Sequence, residues 1–174
     1  IYPKICKSMH MPLQSGSSKV LRDMKRGYTK EWFLDRVQKL RRLSPEVSIS
    51  TDIIVAFPGE SDEDFLETLD VMKQVKFDQI FSFKYSSRPQ TEAEHYTNTV
   101  DEDIASMRLT TLQDLYTQMI DEKNLTQLGK VHRVYFEDLN QDYFVSGRSD
   151  GGLLVKVKGS DELLGEFRDV KITQ

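Results

Sequence analysis

The chain has 174 residues, room for one ordinary domain, or for one domain and a small module, with a buried core. Charged residues make up 30% and apolar residues 38%, with 7 Tyr, 9 Phe and the lone Trp32, a balance that excludes a disordered chain; no apolar run nears the ~18 residues of a membrane helix. The net charge of −4 gives no overall attraction to a phosphate backbone, and the single cysteine, Cys6, excludes an internal disulfide or a multi-thiolate metal site within the chain. A cytoplasmic protein is expected, and the start at Ile1 rather than at a methionine suits a piece of a longer polypeptide.

In chain order, Cys6 to Leu13 reads as a first, apolar strand that ends in Gln14-Ser15-Gly16-Ser17. Ser17 is placed to cap a helix carrying Val20, Leu21 and Met24, with Gly27 as its stop. Thr29 opens a second helix with an inward stripe of Phe33, Val37 and Leu40, and Ser44-Pro45 breaks it. Val47 to Phe57 is a second strand, its β-branched run at residues 53–55 predicting cover on both faces. After Pro58-Gly59, Ser61 and Asp64 form a capping pair for a helix with the stripe Phe65, Leu69 and Met72. Gln79 to Tyr85 is the third strand, and Thr99 with Glu102 opens a long helix presenting Ile104, Leu112, Leu115 and Met119 as far as Leu128-Gly129. Beyond it come short alternating runs at 131–137, 143–148, 153–158 and 167–173, with turns at 140–142, 150–152 and 159–161. The expectation is an α/β fold over residues 1–126, a partial barrel of parallel strands, followed over residues 127–174 by a small antiparallel β-barrel.

Three strands cannot close a parallel barrel, so the segments after each strand would line an open mouth where ligands bind α/β proteins. The first, at Gln14 and Ser15, offers an amide and hydroxyls at a helix start, a cradle for a carboxylate or phosphate; a plain capped turn explains the same residues. Asp52 sits in an apolar strand and needs either a ligand hydroxyl or a partner on a neighbouring strand. Arg88, at the end of the third strand, suits an anion or a stacked ring, or is a solvated loop arginine. His10, in an apolar strand, could be a ligand or a base, but a lone histidine there reads more often as a core residue. Residues 19–42 hold nine bases against three acids, a patch for RNA phosphates or a solvated pair of helix faces.

Four segments taken together, His10-Met-Pro-Leu-Gln-Ser-Gly-Ser17, Met24-Lys-Arg-Gly-Tyr-Thr29, Thr51-Asp-Ile-Ile-Val-Ala-Phe-Pro-Gly-Glu60 and Phe83-Lys-Tyr-Ser-Ser-Arg-Pro89, resemble the radical S-adenosylmethionine methylthiotransferases of the MiaB type over nearly the whole chain. The resemblance implies the second half of a radical S-adenosylmethionine (TIM-like) barrel over 1–126 and an OB-like TRAM domain, incomplete at its C-terminal end, over 127–174. It implies S-adenosylmethionine as cofactor, held by Gln14, Ser15, Arg26, Asp52 and Arg88: Gln14 and Arg26 at the methionine end, Asp52 on the ribose. Two 4Fe-4S clusters are expected in the full-length parent, ligated by cysteines outside this chain. None is expected on this chain alone, since Cys6 matches no cluster position; the chain then has no metal site, no catalytic residue and no activity of its own. Ala56 and Gln90 stand where the family usually has glycine.

The form Phe83-Lys84-Tyr85-Ser86 resembles the branch that methylthiolates isopentenyl-adenosine beside the tRNA anticodon; sister branches act on threonylcarbamoyl-adenosine or on a ribosomal protein. The expected partners are the tRNA anticodon loop and the missing N-terminal half, with no membrane. RNA contact in TRAM would rest on Arg133, Arg148 and Lys156, because residues 126–174 carry seven bases and eight acids. A bare barrel edge, and uncovered inward faces at Ile53, Val55, Phe81 and Phe83, predict self-association of the fragment. The rival reading is a non-catalytic RNA-binding module.

Overall fold

A computed structural model describes residues 7–139, 144–159 and 161–174; Cys6, the turn expected at 140–142 and Ser160 lie outside the described residues. The chain divides into two compact units. One comprises His10–Pro45 and Ile49–Asp121; the other comprises Glu46–Ser48 and Glu122–Gln174 with the chain up to Met9.

The three-stranded sheet runs in the order β1 (Ser8–His10), β2 (Ser48–Val55), β3 (Gln79–Lys84). The strand expected over Cys6 to Leu13 is regular for only three described residues. Its line continues as single hydrogen bonds: Met11 N–H to the Ser50 carbonyl and Gln14 N–H to the Asp52 carbonyl, both 2.8 Å, and Ile54 N–H to the Gln14 carbonyl, 2.9 Å. Pro12 has no N–H to give the ladder, which interrupts the regular pattern. β2 and β3 pair in parallel, with Asp52 opposite Phe81 and Ile54 opposite Phe83.

Along β2, Ile49, Thr51, Ile53 and Val55 are buried while Ser50, Asp52 and Ile54 are only partly covered. The sheet is thus covered on one face, and two expectations are corrected. The 53–55 run does not mark a strand buried on both sides, and Ile53 and Val55, both 0% exposed, belong to the covered face. Strand alternation sets the phase: Ser50, Asp52 and Ile54 share the open face with Phe81 (42% exposed) and Phe83 (55%).

On the covered side lie α1 (Ser18–Asp23), α2 (Lys30–Leu43) and α3 (Asp62–Val75), contributing Val20, Leu21, Phe33, Val37, Phe65, Leu69 and Met72 to the core. Ser17, Thr29 and Ser61 cap them as the sequence predicts, and Ser61 with Asp64 completes a capping box. The stop of α1 is different. Lys25, at φ 59°, takes the left-handed position, its N–H bonded to the Arg22 carbonyl and that of Arg26 to the Leu21 carbonyl, so the turn is closed before Gly27 is reached.

The carboxylate of Asp64 binds α1 to α3. It accepts from Ser17 Oγ at 2.6 Å, Lys19 Nζ at 2.7 Å and Ser61 N–H at 2.9 Å. Burial pushes its pKa up, but the hydrogen bonds from Lys19, Ser17 and Ser61 outweigh burial and bring it down to about 2. Because the folded value lies below that of the unfolded chain, this contribution, about 2 kcal/mol, is full above pH ~4 and lost as the pH falls toward 2. Urea titrations between pH 5 and 2 should show that loss in the parent chain and a markedly flatter profile in Asp64→Asn.

The long helix α4 (Glu102–Leu125) is opened by Asp101, whose carboxylate accepts from Asp103 N–H and whose carbonyl accepts from Ala105 N–H, both at 2.8 Å, rather than by Thr99. Its buried stripe is Ala105, Arg108 and Leu112; Ile104 is 39% exposed. A basic residue at the centre of that stripe reads as polar in any periodicity count, which hides the phase of the helix from a hydropathy pattern.

The second unit holds a four-stranded antiparallel sheet, order β6 (Leu154–Lys158), β5 (Phe144–Ser149), β4 (Val131–Leu139), β7 (Phe167–Lys171). Val134, Phe136, Val145 and Val155 form its core, with Leu139, Leu153, Val157, Leu163, Val170 and Ile172 packed around them. Gly147 permits the β4–β5 approach beside a register shift after Phe136: a Cβ there would lie 2.2 Å from the Tyr135 carbonyl oxygen.

Candidate functional site

The open face of the three-stranded sheet collects the polar residues its strands place there. His10 is no core residue: its side chain is 43% exposed on that face. Its Nδ1 lies 2.9 Å from Ser50 Oγ and its Nε2 3.2 Å from Asp52 Oδ2, and Phe81 meets the ring edge-on at 6.2 Å. Asp52 therefore has a partner on the neighbouring strand and remains 33% exposed, with Oδ1 unbonded among the described residues.

Gln14 is joined to β2 by its backbone bonds to Asp52 and Ile54, in a left-handed conformation of φ 70° that costs about 1 kcal/mol outside glycine. The residue is 7% exposed, and its side-chain amide makes no hydrogen bond among the described residues. Ser15 is 0% exposed; its Oγ accepts from Ser17 N–H at 3.2 Å and lies 3.4 Å from Thr68 Oγ1, so the hydroxyl shapes the turn. The segment holding Arg26 is tied to the end of the first strand by Tyr28, whose hydroxyl donates to the carbonyls of Pro12 (2.9 Å) and Leu13 (3.3 Å). The Arg26 guanidinium is exposed and has no ion pair among the described residues.

The loop after β2 turns at Ala56, whose φ of 60° lies in the left-handed region that favours glycine. Its N–H donates to Glu60 Oε1 at 2.9 Å, and Arg108 Nη1 donates to the same oxygen at 2.7 Å. Burial pushes the Glu60 carboxyl above its ordinary value, against the Ala56 N–H and the guanidinium. Arg108 Nη2 also donates to Asp62 Oδ1 at 2.6 Å. After β3, Tyr85 has a buried hydroxyl without a partner among the described residues, its ring against Phe57 at 5.1 Å. Arg88 is exposed in a turn closed by Thr91, and Gln90 has φ 68°, also in the left-handed region.

In the second unit, Arg133, Arg148 and Lys156 fall on one face of the four-stranded sheet, since Arg148 pairs with Tyr135 and Lys156 with Ser146. Tyr135 and Phe167 pack together there at 4.9 Å, with Arg133 over Phe167 at 4.9 Å. Arg148 is paired with Glu137 at 3.5 Å.

The open parallel sheet thus carries amide, guanidinium and carboxylate groups with hydrogen-bonding capacity unused among the described residues, beside its strands and beyond their ends, where ligands commonly bind α/β proteins. The family model for the radical S-adenosylmethionine superfamily matches residues 2–72. The chain is 82% identical, over 98% of its length, to a tRNA-2-methylthio-N(6)-dimethylallyladenosine synthase of Sulfurimonas denitrificans, and covers 39% of that relative. It is 64% identical over 99% to a protein of the same name from Nitratiruptor sp., and 63% over 98% to one from Campylobacter curvus, covering 40% of each. Over nearly its whole length the chain is similar to these synthases, and it spans about two fifths of the curated relatives it matches.

Among the described residues no cluster of three or more His, Cys, Asp or Glu side chains could hold a metal, and no helix is long and apolar enough to cross a membrane.

Proposed function

We propose that the whole protein, of which this chain forms the part described, methylthiolates isopentenyl-adenosine beside the tRNA anticodon. The observation that carries this reading is the 82% identity, across 98% of the chain, to a relative named for that product. Bound S-adenosylmethionine supplies radical chemistry and the methyl group, with 4Fe-4S clusters on cysteines outside this chain. The residues described fit that cofactor by what they leave unspent. The free guanidinium of Arg26 suits the methionine carboxylate, the unbonded amide of Gln14 its amino acid end, and Asp52 Oδ1 a ribose hydroxyl. The Tyr85 hydroxyl, buried without a partner among the described residues, adds a donor beyond β3. Ser15 contributes by shaping the turn, and Arg88 is free to meet an anionic group.

In the same reading residues 127–174 are a TRAM domain whose sheet face meets RNA through Arg133, Arg148 and Lys156, with the Tyr135–Phe167 pair as a surface for a base to stack on. Mass spectrometry of tRNA nucleosides tests the function. Deleting the full gene should abolish 2-methylthio-isopentenyl-adenosine and leave methylthiolated threonylcarbamoyl-adenosine and ribosomal protein unchanged; an unaltered nucleoside profile would reject the reading. Complementation with Arg26→Ala or Asp52→Ala should restore roughly 10- to 100-fold less product per unit time than the parent gene, the loss of one hydrogen bond to a charged group.

A further inference from the structure

We infer that His10 is a positioning residue that presents Asp52 to the ribose of the cofactor, an inference that rests on the cofactor reading above. A lone carboxylate on a half-open strand has two χ angles to lose and two equivalent oxygens to offer water. Here one oxygen is already occupied: Oδ2 lies 3.2 Å from His10 Nε2. The carboxylate, which can only accept, decides which nitrogen carries the proton, and Ser50 Oγ, 2.9 Å from Nδ1, can serve the other nitrogen as donor. With the hydroxyl donating to Nδ1, the neutral ring holds its proton on Nε2 and donates to Asp52; the other tautomer would set an imidazole lone pair against a carboxylate. Phe81, edge-on at 6.2 Å, fills the side toward β3.

The result is a carboxylate held by one oxygen, with Oδ1 unbonded among the described residues and aimed by its partner rather than by water. Two adjacent ribose hydroxyls are donors that a fixed acceptor of this kind discriminates from a deoxy sugar. The row Ser50, His10, Asp52 is assembled from two strands, so the histidine and the aspartate, 42 residues apart, act as one unit.

Titration calorimetry on the cluster-loaded full-length protein tests this, with S-adenosylmethionine and its 2′,3′-dideoxyribose analogue as ligands. The expected result is a Kd for S-adenosylmethionine raised about 5- to 20-fold in His10→Ala, with affinity for the analogue unchanged. His10→Gln, whose amide can still donate to Asp52, should recover most of the loss. The double variant His10→Ala/Asp52→Ala should bind no more weakly than Asp52→Ala alone, because the two residues serve one contact. Normal affinity in His10→Ala beside a weakened Asp52→Ala overturns the inference and leaves the cofactor reading standing. Equal losses for both ligands, or additive losses in the double variant, also overturn it, showing that the histidine only supports the sheet. Unchanged affinity in both single variants overturns the assignment of Asp52 itself, and the inference with it.

Discussion

Replacing Arg108 by leucine should destabilise the first unit by about 3–5 kcal/mol, the cost of leaving one partner of a buried ion pair behind. The side chain is 4% exposed, and its partner, the Glu60 carboxylate, is 1% exposed at 2.7 Å. Water cannot replace the lost donor. Nη1 also reaches the Glu60 carbonyl at 3.2 Å, Nη2 reaches Asp62, and the guanidinium lies 5.6 Å from the Phe65 ring centre. The single side chain thus secures α4 to the loop between β2 and α3.

Two features separate this expectation from a simple packing loss. The double variant Arg108→Leu/Glu60→Gln should recover a large part of the stability, because the uncompensated charge has gone. The penalty of Arg108→Leu alone should also shrink in acid, since the orphaned Glu60 gains stability by binding a proton. Thermal unfolding at pH 7 with a shift below about 3 °C, or a double variant no better than the single, would show that the pair carries little of the docking.

Gly16→Ala should cost about 3 kcal/mol, at the upper end of overpacking penalties, with a fall in the melting temperature of about 6–12 °C. A methyl at this position would stand 2.4 Å from Thr68 Cα and 2.7 Å from the Glu67 carbonyl oxygen. Both are backbone atoms of α3, which cannot rotate away. The turn before α1 would have to lift, stretching the bond from Gly16 N–H to Thr68 Oγ1 (2.9 Å) and that from Ser17 Oγ to Asp64 (2.6 Å). Calorimetry reads the effect directly; a melting temperature within about 2–3 °C of the parent would mean that the α1 turn moves without loss. Gly27, by contrast, has open space for 4 Å around the place a Cβ would take, and a negative φ, so alanine is tolerated there.

Local sequence is enough to place the long helices and most of the strands, and to show where three of the helices begin. A hydroxyl before an apolar stripe satisfies a free N–H wherever the helix docks, so Ser17, Thr29 and Ser61 are legible as caps without any knowledge of the fold. Asp52 is likewise marked as a carboxylate in need of a partner, and the family is legible through four short segments. Faces and partners, by contrast, are settled only by packing. Cover on one side of the sheet depends on what lies against it, and so Ile53 and Val55 turn inward to the helices while Ser50 and Asp52 stay open. Arg108, polar in any hydropathy pattern, becomes the centre of the α4 stripe only because Glu60 and Asp62, 48 and 46 residues away, neutralise it. His10 reads as a core residue in the linear sequence for the same reason: alternation gives the face a side chain shares, but only the pairing of the first strand with β2 brings Ser50 and Asp52 to its two nitrogens.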